Sequence, residues 1–210
     1  MLVVIRGAGD LASGIALRLF RSGFQVAMTE TEQPTTIRRT VAFSSAVTCG
    51  EAVVEDVAGQ RAESVSDVKT LLESGVIPVL IDPDGLCIPQ LKPDALVDAI
   101  LAKRNLGTRI TDAPVVVGVG PGFTAGVDCH AVVETMRGHY LGRTLYQGSA
   151  LPNTGIPGLI GGFAGERVLR APADGIFHPL LGIGARVHMG DTAAVVDGVP
   201  MICTLDGVLR

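Results

Sequence analysis

MLVVIRGAGDLASGIALRLFRSGFQVAMTE, residues 1–30, is the stretch on which the fold turns. Residues 2–5 are a short apolar run, the pattern of a buried strand. Gly7, Ala8 and Gly9 follow as a turn. Apolar side chains then recur at Leu11, Ile15 and Leu19, with Ala12 and Ala16 beside them, in one helical stripe. Arg18, Arg21 and Ser22 fall on the wet side, Gly23 stops the helix, and residues 24–29 read as a second strand. Strand, glycine turn, helix, strand is half of a nucleotide-binding α/β unit, and its two strands should run parallel.

The turn carries chemistry as well as topology. Gly7, Gly9 and Ala12 have the G-x-G-x-x-A spacing, in which missing side chains let a pyrophosphate approach the N–H groups that open a helix. Glu30 stands 21 residues beyond Gly9, where an acid can accept hydrogen bonds from ribose hydroxyls. Gly7, Ala8, Gly9 and Glu30 are therefore candidate cofactor-binding residues. Asp10 opposes that reading: its charge suits the helix dipole but repels an anion, unless Arg6 at the strand end offsets it. The competing explanation is that these glycines only permit close strand–helix packing.

Composition narrows the classes. A chain of 210 residues that is 47% hydrophobic can bury a core and argues against disorder. No apolar run is long enough to span a bilayer, so no membrane partner is expected. The N-terminus lacks the basic start and long apolar stretch of a secretory leader, which implies a cytoplasmic location. A net charge of -4, 4% aromatics and no Trp offer nucleic acid neither a basic face nor a stacking platform. The four cysteines, Cys49, Cys87, Cys129 and Cys203, form no C-x-x-C pair and suit a reducing compartment. Self-association is left open.

Glycine and lysine divide the chain. Only eight of the 27 glycines precede residue 105, whereas all three lysines, Lys69, Lys92 and Lys103, do. Regular α/β structure is expected before that point, and short strands with many turns after it. Ser64 and Asp67 suggest a capping box ahead of a helix stopped by Gly75. Residues 76–81 read as a strand in which Pro78 marks an edge or a start. Residues 94–104 fit a helix through Leu96, Val97, Ile100 and Leu101, although Val97, Ala99 and Leu101 also alternate; helix is preferred. Residues 115–119 are another buried strand leading into a second glycine turn. In the last part, β-type runs at 168–169, 186–187, 193–196 and 201–205 suggest a small barrel or sandwich.

That second turn, GVGPGFTAGVDCHAVVET over residues 118–135, gathers glycines and reactive groups. Gly118, Gly120 and Gly122 are candidate cofactor contacts. Asp128 and His130 are the candidate catalytic pair, adjacent if the segment is extended; His130 and Glu134 would share a helical face. Either pairing could hold a metal or move a proton, and a satisfied structural histidine is the plain alternative. Cys129 is either a small core residue or a thiol activated by a helix N-terminus. If residues 2–5 and 115–119 share one parallel sheet, both glycine turns emerge at one edge, and Asp128 and His130 are expected beside them. The basic groups Arg38-Arg39 and Arg137, His139 and Arg143 could clamp anions, but such groups are more often surface charges.

APADG at 171–175 and GIGARVHMGD at 182–191 look like half of a biotinyl/lipoyl-type hammerhead. With no lysine after residue 103, that module cannot carry an amide-linked prosthetic group and would be structural or a docking element. The expected fold is α/β: a Rossmann-like parallel-sheet domain over residues 1–165 with both glycine loops, then a small β-rich module over 166–210.

Longer stretches carry a resemblance. RGAGDLASGIALRLF, MTETEQPTTIRRTVAF, LVDAILAKRNLGT, GPGFTAG, VVETMRGHYLGR and PNTGIPG, in order along most of the chain, resemble the YqeB family. The resemblance implies an accessory or maturation protein for a selenium-dependent molybdenum hydroxylase, which would be its partner. It is similar to the accessory proteins that deliver molybdenum cofactor to xanthine dehydrogenases. Family members continue beyond the point where Gly207–Arg210 stops, so a truncated chain is expected. The ligand implied at the first loop is molybdenum cofactor or a nucleotide, with thiols available to handle sulfur or selenium. The alternatives are an NAD(P)-dependent oxidoreductase, which would rely on Asp128 and His130, and a non-catalytic docking protein.

Overall fold

The computed structural model describes residues 1–210 and divides after Asn153 into two compact units, Met1–Asn153 and Thr154–Arg210. The expected module at 166–210 lies wholly within the second.

The first unit begins as the sequence dictates: β1 (Leu2–Arg6), α1 (Asp10–Arg21) and β2 (Gln25–Glu30). The two strands pair in parallel, from Leu2 against Gln25 to Arg6 against Thr29. At the end of α1, Gly23 N–H donates to Phe20 O and Phe24 N–H to Leu19 O, which closes the helix with a left-handed glycine. Its buried face differs from the expected stripe. Ala12, Ser13, Ala16 and Leu17 are buried, whereas Leu11 is 51% exposed. Small side chains let the helix sit close on the sheet, and that close approach outweighs the larger but outlying Leu11.

Next come α2 (Ser45–Cys49), the hairpin of β3 (Glu51–Val54) and β4 (Val57–Ala62), α3 (Val65–Glu73) and β5 (Ile77–Ile81). Ser64 caps α3 by accepting from Asp67 N–H at 3.1 Å, and the Asp67 carboxylate accepts in turn from Glu63 N–H at 3.1 Å. Pro78 lies at the start of β5, ahead of the residues that pair with β2. After α4 (Ile88–Leu91), the segment expected as a helix is instead β6 (Ala95–Asp98). It lies between β1 and β7 (Val115–Val119), and Leu96, Val97 and Asp98 are all buried. A strand buried on both faces has no polar side to reveal its period, so the apolar run imitates a helix. β8 (Ala131–Val133) and β9 (Thr144–Leu145) complete the unit.

These nine strands form one sheet in the order β3-β4-β5-β2-β1-β6-β7-β8-β9, parallel except for the β3–β4 and β8–β9 pairs at its ends. Few helices cover it. Val3 and Ile5 join α1 and α2 in one core, while Val4 and Leu96 face the other core, to which α3 and α4 contribute Val68 and Ile88. The chain leaves β1 toward β2 on one side and returns to place β6 on the other, so strand order reverses at the carboxyl end of β1.

The second unit contains β10 (Phe177–Pro179), β11 (Arg186–Val187), β12 (Thr192–Val196), β13 (Val199–Ile202) and β14 (Gly207–Val208). They form a three-stranded antiparallel sheet, β10-β12-β13, and a separate β11–β14 pair rather than one closed barrel. Asp197-Gly198 links β12 to β13, both residues with positive φ, as a two-residue hairpin requires. Val168-Leu169 is not a strand; Leu169 packs on the small core of Val187, Ala193 and Cys203.

Candidate functional site

The first glycine turn sits at the carboxyl end of β1, where the strand order reverses and α/β sheets hold ligands. Gly7 has φ +94°, and a Cβ there would come within 2.9 Å of Ala99 O. Gly9 differs. Its backbone is ordinary, φ −65°, and an added Cβ would meet nothing closer than Thr36 Oγ1 at 3.6 Å. Gly7 is thus fixed by packing, while Gly9 leaves room at the start of α1. No side chain caps that helix, so the N–H groups of its first turn remain available to a ligand.

Glu30 reaches this turn from the end of β2. Its Oε2 accepts from Ala8 N–H at 2.9 Å and its Oε1 from Thr31 N–H at 2.8 Å. The segment after β2 folds over the loop: Ser44 N–H donates to Ala8 O at 2.8 Å, and Phe43 N–H to Ser13 Oγ at 2.8 Å. Ser13, buried and joined also to Ala8 O, is a positioning residue the sequence reading missed. Its sequence signal is a polar residue on the Ala12–Ala16 face.

The charges arrange themselves differently from expectation. Asp10 is neutralised by Arg38, Nη1 to Oδ2 at 2.7 Å, and not by Arg6. Arg6 follows Val4 by two residues on β1, so strand alternation sends its side chain to the face opposite α1. There it is buried against Asp98 at 3.6 Å.

The second glycine turn emerges at the same edge of the sheet, because β1, β6 and β7 are parallel. The chain itself occupies the space its glycines leave. A Cβ at Gly118 would strike the Phe123 ring at 2.5 Å, one at Gly120 Thr135 Oγ1 at 2.8 Å, and one at Gly122 the Arg104 backbone at 2.6 Å.

Asp128 and His130 do not join either turn. Between β7 and β8 the chain crosses back to the other end of the sheet, since β8 also runs parallel to β7. His130 N–H donates to Val116 O, and His130 Nδ1 accepts from Val116 N–H at 3.0 Å. Asp128 Oδ2 accepts from Thr124 N–H at 2.7 Å. Both stand at the amino edge, so the expected neighbourhood with Gly7–Gly9 is corrected. A return crossing is what a parallel pair demands.

Glu134, the other proposed partner of His130, is buried. It accepts from Met136 N–H at 2.7 Å and Leu151 N–H at 2.8 Å. Burial pushes its carboxyl up, but the N–H groups of Leu151, Met136 and Thr135 outweigh this and hold it below the usual range. No group of three His, Cys, Asp or Glu side chains is arranged to hold a metal.

The thiols are quiet. Burial raises the Cys129 pKa, and Cys129 lies in the core rather than at a helix start. Cys87 is pushed up to about 12 by burial, with Asp82 beside it adding to the effect. Cys49 alone is exposed. Activation of Cys129 is therefore corrected: the same packing that hides the thiol disfavours its thiolate.

Comparison with known proteins places this geometry in context. The chain is 53% identical over 209 residues to Uncharacterized protein YqeB of Escherichia coli (strain K12), an alignment covering 100% of this chain and 39% of that protein. The chain spans about two fifths of the length of that protein. No family model matches it, and no solved structure does. No helix is long and apolar enough to cross a membrane.

Proposed function

We propose that this chain is part of an accessory protein for maturation of a selenium-dependent molybdenum hydroxylase, and that it holds molybdenum cofactor or a nucleotide at the β1–α1 turn. The observation that carries the binding reading is the contrast between Gly7, pinned against Ala99, and Gly9, which leaves space before an uncapped helix. The phosphate of a pterin cofactor or nucleotide fits such a cradle, because helix N-terminal amides and the dipole favour an anion. Gly9 and the first turn of α1 would hold it. Glu30, already at the loop, is placed to meet a sugar or pterin hydroxyl. The maturation role rests on the resemblance to the YqeB family.

When bound, the cofactor would supply the metal chemistry to the partner enzyme. The chain's own part would be to bind, orient and release. A docking role alone would leave the turn without a ligand. The oxidoreductase alternative loses its acid–base pair at this loop, because Asp128 and His130 stand at the opposite edge.

Calorimetry with CTP, NAD and isolated molybdenum cofactor tests the reading. Binding of the cofactor or CTP should be lost in Gly9→Val while the fold persists by circular dichroism. Unchanged affinity in that variant, or binding of none of the three, would refute it. Turnover of NAD(P)H would favour the oxidoreductase.

A further inference from the structure

Beyond β8 the chain turns at the carboxyl edge of the sheet, the edge that also carries the β1–α1 turn. Residues 135–153 contain no Asp or Glu, in a chain whose net charge is -4. They carry Arg137, His139 and Arg143, all exposed. Arg6, Arg21, Arg38 and Arg61 each meet a carboxylate, whereas Arg137 and Arg143 meet none. Free positive charge is thus gathered on one loop of an acidic protein.

The loop is firmly mounted. Glu134 N–H donates to Arg143 O at 2.9 Å, and Gly142 N–H returns to Glu134 O at 2.8 Å. The buried Glu134 carboxylate ties the loop from beneath: its oxygens accept from Met136 and Leu151 N–H, and neither arginine pairs with it. Above this base the Arg143 guanidinium carbon lies 5.4 Å from the centre of the Tyr140 ring, a cation–π distance. The His139 ring meets the same tyrosine edge-on, with centroids 5.2 Å apart. Tyr140, Leu141 and Tyr146 are nevertheless 54%, 59% and 75% exposed. They flank β9, the last strand of the sheet, beyond which no further strand pairs.

We propose that this loop, residues 136–146, is a docking surface for an acidic segment of a partner protein. Carboxylates of that segment pair with Arg137 and Arg143, and an apolar side chain beside them covers Tyr140 and Leu141. Charge complementarity selects the partner's sign. Arginine and tyrosine without lysine are the residue types that anchor protein interfaces, and a loop already held in place loses little freedom on binding. Nucleic acid and anionic lipid are disfavoured, because two arginines neutralise few phosphates while the rest of the chain repels them. The surface does not depend on a ligand at the β1–α1 turn, although a partner seated here would approach the same edge.

Selection of a random peptide library on the whole, unliganded chain tests the surface. Selected peptides should be rich in Asp and Glu and carry an apolar residue. Arg137→Glu with Arg143→Glu, both exposed changes, should weaken them about tenfold or more, with the circular dichroism spectrum unchanged. Selection on that double variant should favour Lys- and Arg-rich peptides instead, a reversal that simple loss of structure does not produce. Tyr140→Ala should weaken the acidic peptides without changing their preferred charge. No acidic enrichment, or equal affinity in the charge-reversed variant, overturns the surface. Tighter binding of duplex DNA or phosphatidylserine vesicles than of any selected peptide overturns the partner class.

Discussion

Glu30 Oε2 and the backbone N–H of Ala8 stand 2.9 Å apart, so an acid from the end of β2 caps the glycine turn at the end of β1. The contact ties neighbouring parallel strands together at the point where the sheet changes direction. It also commits one amide of the turn, leaving the ligand-facing donors to Gly9 and the first turn of α1.

Replacing Glu30 with Ala should lower unfolding free energy by about 1–3 kcal/mol, the range for a hydrogen bond to a charged acceptor. The same change removes negative charge beside the proposed anion cradle. Affinity for inorganic phosphate should rise while affinity for CTP falls, as the sugar loses its acceptor. Urea unfolding and paired calorimetric titrations check both halves.

Gly7 and Gly9 should respond oppositely to alanine. Gly7→Ala places a Cβ in a left-handed backbone against Ala99 O and should cost about 2 kcal/mol or more. Gly9→Ala meets only Thr36 Oγ1 at contact distance and should change stability by less than about 1 kcal/mol. Equal losses in chemical denaturation would show that the two glycines do the same job.

One thiol should react in the native protein. Cys49 is exposed, whereas Cys87, Cys129 and Cys203 are buried and their thiolates disfavoured. A thiol–disulfide reagent at pH 8 should label one cysteine quickly and the remaining three only on unfolding. Rapid modification of Cys129 would restore a chemical role for it.

Acid should unfold the chain partly through Glu134. Its folded-state pKa is depressed, so the unfolded state binds the proton more readily. The stability it contributes is present above the usual glutamate range and is lost as pH falls through the lower folded value. Glu134→Gln should therefore show a shallower loss of Tm as pH falls from the usual glutamate range through the lower folded-state value. An identical pH slope in both proteins would contradict this.

The local signals were strong where neighbouring residues alone decide the outcome. Residues 2–30 specify strand, turn, helix and strand through periodicity, two glycines and a glycine stop, and Ser64 with Asp67 caps its helix through contacts three residues apart. Tertiary structure decided what depends on neighbours distant in sequence. Residues 95–98 became a strand because β1 and β7 flank them, and burial on both faces erases the alternation that would reveal it. Asp128 and His130, ten and more residues beyond the second glycine turn's first glycine, were carried to the opposite edge because a parallel strand must be entered from the same end as its neighbour. Arg6 could be read as a strand-end charge, but its unpaired Nε exists only because Pro83, Leu106 and Thr108, 77 to 102 residues away, fill the rest of its bonding shell. Local propensity is written along the chain, whereas such a shell is made only when the sheet closes.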